Sequence, residues 1–341
     1  VRYGIRHHAT EVLSMVVVAG VGAYVPLYRV DREDVAAQTD GAASGETAVP
    51  APDENHVTMA SEAADTALAR AGIDGGDLSG VLTASVTDRF AEHGIAAHVA
   101  YRYGATGDVR TADCGGSTRA ATDALVLGID RVRAGEGPVL VVGVDAVPTD
   151  PDDDGVAYAG AGAGAVVLAE SADDPAATVT GVGQSTTGFV ERHRLHGEVP
   201  TRLDDRFEQS TGVPEAVGPA MEAALDGADP DAAVVGTPES WRARSVLGGS
   251  DAEHVSVFDS VGDAATASPF IDLAHALETG AGDSLAVVVY GSGGADAVAL
   301  EAGAVPEDGD TVADQLDAKE LVTYAQHLRY REPVDYQGVA Q

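Results

Sequence analysis

Residues 112–125 read ADCGGSTRAATDAL and hold the side chains best suited to covalent chemistry: Cys114, the single cysteine, followed closely by Ser117 and Thr118. A thiolate is a strong nucleophile, and one at a helix N-terminus is stabilised by the helix dipole. A lone cysteine can equally be a small buried apolar residue. A hydroxyl needs an adjacent base, because its pKa is too high for it to attack efficiently at neutral pH. His93 and His254 are the nearest bases by sequence position, and each reads as a surface or loop histidine. The other histidines are scattered. His193 and His196 form an HxxH pair in a charged stretch with no acid or cysteine motif beside it, so no metal is expected.

Two glycine-rich segments, AYAGAGAGAVV (157–167) and YGSGGADAVALE (290–301), fit a dinucleotide fingerprint poorly. GAGAGA lies inside a strand-like run instead of opening a helix, and no acid follows at the expected spacing. Close backbone packing between layers explains it better, and no cofactor is implied.

The elements that position these residues alternate between strand and helix, the mark of an α/β chain. VVVAGVGAYVP is strand then turn, HVTMASEAADTALARAGI (56–73) has helical spacing, LSGVLTASV (78–86) is β-rich and GIAAHVAYRYGA (94–105) is helical. The helix starting near residue 118 runs through an acidic, glycine-containing turn into PVLVVGVDAV, a buried strand. The second half echoes the first: residues 63–85 match 220–240, and 118–146 match 267–293, each as helix, turn and buried strand. Two copies in one order imply a duplicated fold about a pseudo-two-fold axis. The divisions expected are a non-native or frayed extension over 1–14, a first half over 15–172, and a second half over 173–304. The second half carries a charged insertion near 190–219, and a tail follows over 305–341 in which AKELVTYAQHLRYR reads as helix.

Asp and Glu total 55 against 20 Lys and Arg, a net charge of −35, with Lys319 the only lysine. Such a chain repels phosphate backbones, which excludes nucleic-acid binding. The acids are spread along the chain, unlike an acidic tail, and that composition suits a salt-rich cytoplasm. With 45% hydrophobic residues a large core is available, yet no run is long enough to span a membrane. A single cysteine excludes an intrachain disulfide and fits a reducing compartment.

Several stretches resemble the thiolase superfamily, and within it the archaeal hydroxymethylglutaryl-CoA (HMG-CoA) synthases. They are GETAVPAPDENHVTMASEAA (45–64), AYAGAGAGAVVLAE, YGSGGADA and HLRYR, spread over nearly the whole chain. The resemblance implies a duplicated, five-layered αβαβα fold. It also implies condensation of acetyl-CoA with acetoacetyl-CoA through a cysteine nucleophile, a proton-shuttling glutamate, and histidine and asparagine that hold substrate oxygens. Carried over position by position, the family's AD-x-x-x-A-C-[KR]-A pattern matches Ala112, Asp113, Arg119 and Ala120 and puts the nucleophile on Thr118, not Cys114. The glutamate falls on Val86, the histidine on Gly236, one asparagine on Glu239 and the other on Asp263; Pro238 is kept. Gly291, Ser292 and Gly293 match the substrate-binding YGSG loop. The expected protein is therefore a family member depleted of catalytic groups. It would persist as an acyl-CoA binder, a homodimer built through residues 108–114, or a partner of a thiolase and a zinc-ribbon/OB-fold protein. An acyltransferase using Thr118, Ser117 or Cys114 with another base, and a purely structural subunit, are the alternatives.

Overall fold

A computed structural model of the chain describes residues 15–331 except 40, 91, 152–154, 196–197, 237–239 and 249. Ten strands form one continuous sheet. The first half supplies β1 (Val17–Tyr24), β2 (Gly80–Ala84), β3 (Arg110–Cys114), β4 (Val139–Ala146) and β5 (Ala161–Ala169). The second supplies β6 (Ala177–Thr186), β7 (Ala232–Gly236), β8 (Glu253–His254), β9 (Ser284–Gly291) and β10 (Gly294–Ala302). Across the sheet the order is β8-β7-β9-β10-β6-β1-β5-β4-β2-β3. Read inward from either edge, each half runs third, second, fourth, fifth, first. The duplication inferred from the sequence is thus a repeated topology, and β1 meets β6 antiparallel at the seam, Val17 opposite Thr178 and Val18 opposite Ala177.

Helices repeat in step with the strands. In the first half α1 (His56–Ala71), α2 (Ile95–Arg102) and α3 (Ala120–Arg133) precede β2, β3 and β4. In the second α4 (Val213–Leu225), α5 (Ser240–Val246) and α6 (Ser268–Thr279) precede β7, β8 and β9. Helices α3 and α6 each touch strands of both halves and make the middle layer, whereas α1 covers β1, β5 and β4 and α4 covers β6, β10 and β9. The layers are therefore α, β, α, β, α. The largest apolar cluster surrounds α3 and α6 between the half-sheets, with one further cluster beneath each outer helix layer.

One sequence feature explains how close the outer helices come. β1 and β6 both carry Gly-Val-Gly, at 20–22 and 181–183. A Cβ at Gly20 or Gly22 would strike the backbone of α1, and one at Gly181 or Gly183 the backbone of α4. Only glycine permits that approach at these positions.

Two stretches differ in detail from the sequence reading. Residues 213–219, the end of the charged insertion, are the first turns of α4, with Val213, Ala216 and Val217 buried. In the tail a short helix, Val312–Asp317, comes first; Glu320–Val322 is then a strand pairing in parallel with Tyr28–Asp31, and the last helix begins only at Tyr324. That strand joins a small sheet with Tyr28–Asp31 and Glu46–Val49. The following helix ends on Arg331, whose guanidinium donates to the carbonyls of Val147, Ala48 and Ala159.

Candidate functional site

The C-terminal ends of β2, β4, β7 and β9 and the start of α3 carry the positions that sequence reasoning singled out. The chain leaves β2 through Ser85, Val86 and Thr87, which wrap around Asp145 of β4. Asp145 is fully buried and accepts six hydrogen bonds. They come from Ser85 Oγ (2.8 Å), the Val86 N–H (2.9 Å), Thr87 N–H and Oγ1 (2.8 and 2.6 Å), and Thr266 N–H and Oγ1 (2.9 and 2.6 Å). A carboxylate tolerates burial when its lone pairs are filled in this way. Thr87 gives its only proton to Asp145, so His56 Nε2, 2.9 Å from Thr87 Oγ1, must be the donor there. Burial lowers the His56 pKa, with Arg89 and Arg194 adding to the effect and Asp145 and Asp88 opposing it. Val86 itself is held by its backbone, and its side chain packs against Val147, Ala159 and Ala265. An apolar group at that position moves no proton.

Thr118 and the YGSG loop are brought together. A Cβ at Gly291 would lie 2.6 Å from Thr118 Oγ1 and 2.7 Å from Ser117 Oγ, so the loop approaches this closely only because residue 291 is glycine. Ser117 Oγ accepts from the Arg119 N–H at 3.3 Å. Thr118 Oγ1 has no hydrogen-bond partner among the described residues. Arg119 ties the start of α3 to β10: its Nε donates to Asp296 at 3.0 Å, and buried Asp296 also accepts from Thr122 Oγ1 (2.9 Å) and Gln184 (3.2 Å).

Ser292 joins this corner to the stretch after β6. Its Oγ accepts from the N–H groups of Glu191 (3.1 Å) and Arg192 (3.4 Å) and donates to the Arg192 carbonyl (2.9 Å). Thr187 and Phe189 exchange backbone hydrogen bonds with Gly293, at 2.8 and 2.9 Å. Arg192, so anchored, pairs with Asp263 at 3.3 Å and lies 3.8 Å from Glu191. Burial works against the Arg192 charge, but Asp263 and Glu191 outweigh it and raise the pKa. Two residues on, Arg194 donates to the Val86 carbonyl. Sequence reasoning missed both arginines and Asp145. The available signals were the arginines' i, i+2 spacing in RHR and a lone acid inside a buried strand.

The remaining candidates lie apart. Gly236 ends β7, paired with Val289, and a Cβ there would sit 2.7 Å from Val289 Cγ2. Pro238, Glu239 and His196 lie outside the described residues. Cys114 is the last residue of β3 and lines a cleft of about 390 Å³ with Gly115, Asp123, Val126, Leu127, Asp130 and Gln184, not with Thr118 or Gly291. Burial pushes its thiol pKa up, and Asp123 and Asp113 add to that. His93 and His254 are both exposed, in the loop before α2 and on the edge strand β8, toward opposite edges of the sheet. Among the described residues no three His, Cys, Asp or Glu side chains converge as metal ligands.

A five-layered chain whose halves share one strand order, with the first middle-layer helix aimed at a glycine loop from the second half, is a thiolase-type protein. Comparison with known proteins narrows this. No family model matches the chain. The hydroxymethylglutaryl-CoA synthase of Methanopyrus kandleri is 31% identical over 347 residues, covering 94% of this chain and 98% of that protein. The synthase of Archaeoglobus fulgidus is 28% identical over 348 residues, covering 94% and 99%. Among solved structures, an HMG-CoA synthase complexed with CoA superposes with a TM-score of 0.80 at 16% identity, covering 94% of this chain and 91% of that one. The 3-oxoacyl-[acyl-carrier-protein] synthase III of Aquifex aeolicus gives 0.73 at 21% identity, covering 84% and 99%. The chain belongs to the hydroxymethylglutaryl-CoA synthase family.

Proposed function

We propose that this chain is a catalytically depleted HMG-CoA-synthase-like protein that binds an acyl-CoA without condensing it. The observation that carries the reading is the state of the nucleophile position. Thr118 Oγ1 lies against the Gly291 loop with no hydrogen-bonded base among the described residues, and a hydroxyl so placed is too weak a nucleophile for a thioester. Val86 in an apolar knot and Asp263 bound to Arg192 support the same reading, because neither position retains the group that the family chemistry needs. Solved relatives hold CoA, which supports an acyl-CoA as the ligand class. The site residues, besides the substituted positions Val86, Thr118, Gly236 and Asp263, are Gly291, Ser292 and Gly293 as substrate contacts. The protein acts in the cytoplasm as a homodimer through β3 or beside a thiolase and a zinc-ribbon/OB-fold protein; no helix among the described residues is long and apolar enough to cross a membrane.

The cleft at Cys114 favours one second reading, an acyltransferase with a rearranged nucleophile. The raised thiol pKa weighs against it, since less thiolate is present at neutral pH. Intact-mass measurement after incubation with acetyl-CoA and acetoacetyl-CoA in molar KCl, together with an assay for free CoA, separates the two. The expected result is saturable acetyl-CoA binding with neither adduct nor CoA release. An acetyl adduct on any residue, with turnover, overturns the depleted reading.

A further inference from the structure

Under the last helix, Tyr324–Arg331, lie two groups that the site does not use. His327 is fully buried, and neither of its ring nitrogens has a hydrogen-bond partner among the described residues. Arg331 follows four residues on, beside it on the same helix face. Three of its five N–H hydrogens go to the carbonyls of Val147, Ala48 and Ala159. Its Nε is buried and has no partner among the described residues. Carbonyls satisfy donors but carry no net charge, so the guanidinium is left without a counter-ion. The acids of the small sheet beneath the helix are engaged or turned to solvent. Glu46 pairs with Lys319 at 2.6 Å, Asp31 accepts the Glu33 N–H at 2.8 Å, and Glu320 is exposed. Burial alone lowers the Arg331 pKa, to about 10, while burial and then Arg331 push His327 down to about 3. No acid opposes either shift, in a chain that carries 55 of them. Arg29 of the same sheet also has an unpartnered Nε and Nη2, but Glu46, Tyr24 and Glu54 attract it.

We infer that the Arg331 guanidinium and the His327 ring hold a small monovalent anion, a halide, between them. The ion accepts the Arg331 Nε–H and one N–H of His327, and it brings the charge that the carbonyls cannot. A water molecule would satisfy the same hydrogens but leave the buried cation uncompensated. Phosphate or sulfate would overshoot that charge and present more oxygens than the unspent donors can serve. Because His327 is closed to solvent, the ion belongs to the folded core and exchanges only when the helix lifts. Its place has a consequence for the site. Val147 and Ala159, whose carbonyls Arg331 holds, pack their side chains around Val86, so the ion braces the layer beneath that position. The inference stands apart from the acyl-CoA reading, and its test uses no thioester.

The test holds potassium and ionic strength fixed and replaces gluconate, too bulky for a sealed site, with bromide or chloride. Anomalous diffraction from crystals grown in bromide is expected to place one ion within hydrogen-bond reach of Arg331 Nε and a His327 nitrogen. By calorimetry the melting temperature is expected to climb about 2 °C for each tenfold rise in halide above its Kd. Arg331→Gln removes the bromide peak and flattens that slope. His327→Gln, which keeps a donor, weakens both, and His193→Ala on the exposed strand changes neither. A water in place of bromide, or a slope that survives Arg331→Gln unchanged, overturns the site. A bromide peak without any halide-dependent slope is binding at crystal concentration only and overturns it as well. Should Arg331→Gln fail to fold, the peak and slope of the unmodified protein and of His327→Gln decide.

Discussion

Where the family pattern carries an asparagine, Asp263 brings a charge into a region nearly closed to water, and Arg192 meets it at 3.3 Å. Breaking a buried pair from one side leaves the other charge uncompensated, which costs more than the pair itself contributes. Asp263→Asn is therefore expected to destabilise the protein by about 3 kcal/mol, less if Glu191 takes over part of the pairing. Asp263→Asn combined with Arg192→Gln should cost less than the two changes summed. Urea titrations of the three variants check this, and full additivity would show that the two side chains do not interact. Thr118, Val86, Asp263 and the Gly291–Gly293 loop could be named from the sequence only through the family resemblance, carried over motif by motif. The arginines that fill the site could not. Arg192 opens a strand of two residues, Arg192–His193, too short for any periodicity, and Arg194 follows it, in a stretch that reads as a charged insertion.

At the scale of elements, α6 shows how a buried acid sets a pH dependence. Asp272 accepts the Val257 N–H at 2.8 Å and so latches the segment after β8 onto the middle layer. Burial raises its pKa to about 7, against the opposing bonds from Val257 and Ser256. In the unfolded chain the carboxyl loses its proton near pH 4, while the folded protein keeps it until about 7. The unfolded state thus binds fewer protons across that window, and this group's contribution to stability falls as pH rises through it. Asp272→Asn cannot ionise, so its melting temperature relative to the parent should climb from pH 4 to 7 and then level off. A difference that is flat with pH would show that Asp272 titrates normally. The alternation of elements was legible because Val-rich strands and Ala-rich helices have distinct periods. The tail strand Glu320–Val322 was not, since its partner, Tyr28–Asp31, lies almost a chain length away and its three residues continue into a helical run.

For the whole molecule, a charge of −35 makes self-repulsion the dominant electrostatic fact. Counterions at molar salt shorten the screening length to about 3 Å, which removes most of that repulsion. Cooperative melting in molar KCl and a large drop in melting temperature in dilute buffer are expected by differential scanning calorimetry. Equal melting temperatures would remove the salt-adapted reading of the composition.

The strand order also sets a clock. β1 is made long before its main partner, β5, with Val17 lying opposite Ala169. At ribosomal speeds of about 5–20 residues per second, β1 waits on the order of ten to thirty seconds for its neighbour. The second half repeats the delay, since β6 pairs with β10, Ala177 opposite Ala302. During the first wait an apolar strand is exposed to solvent and to other nascent chains. Its Gly-Val-Gly centre offers less sticky surface than a run of large side chains would, so the glycines that let the helices approach also make the interval safer.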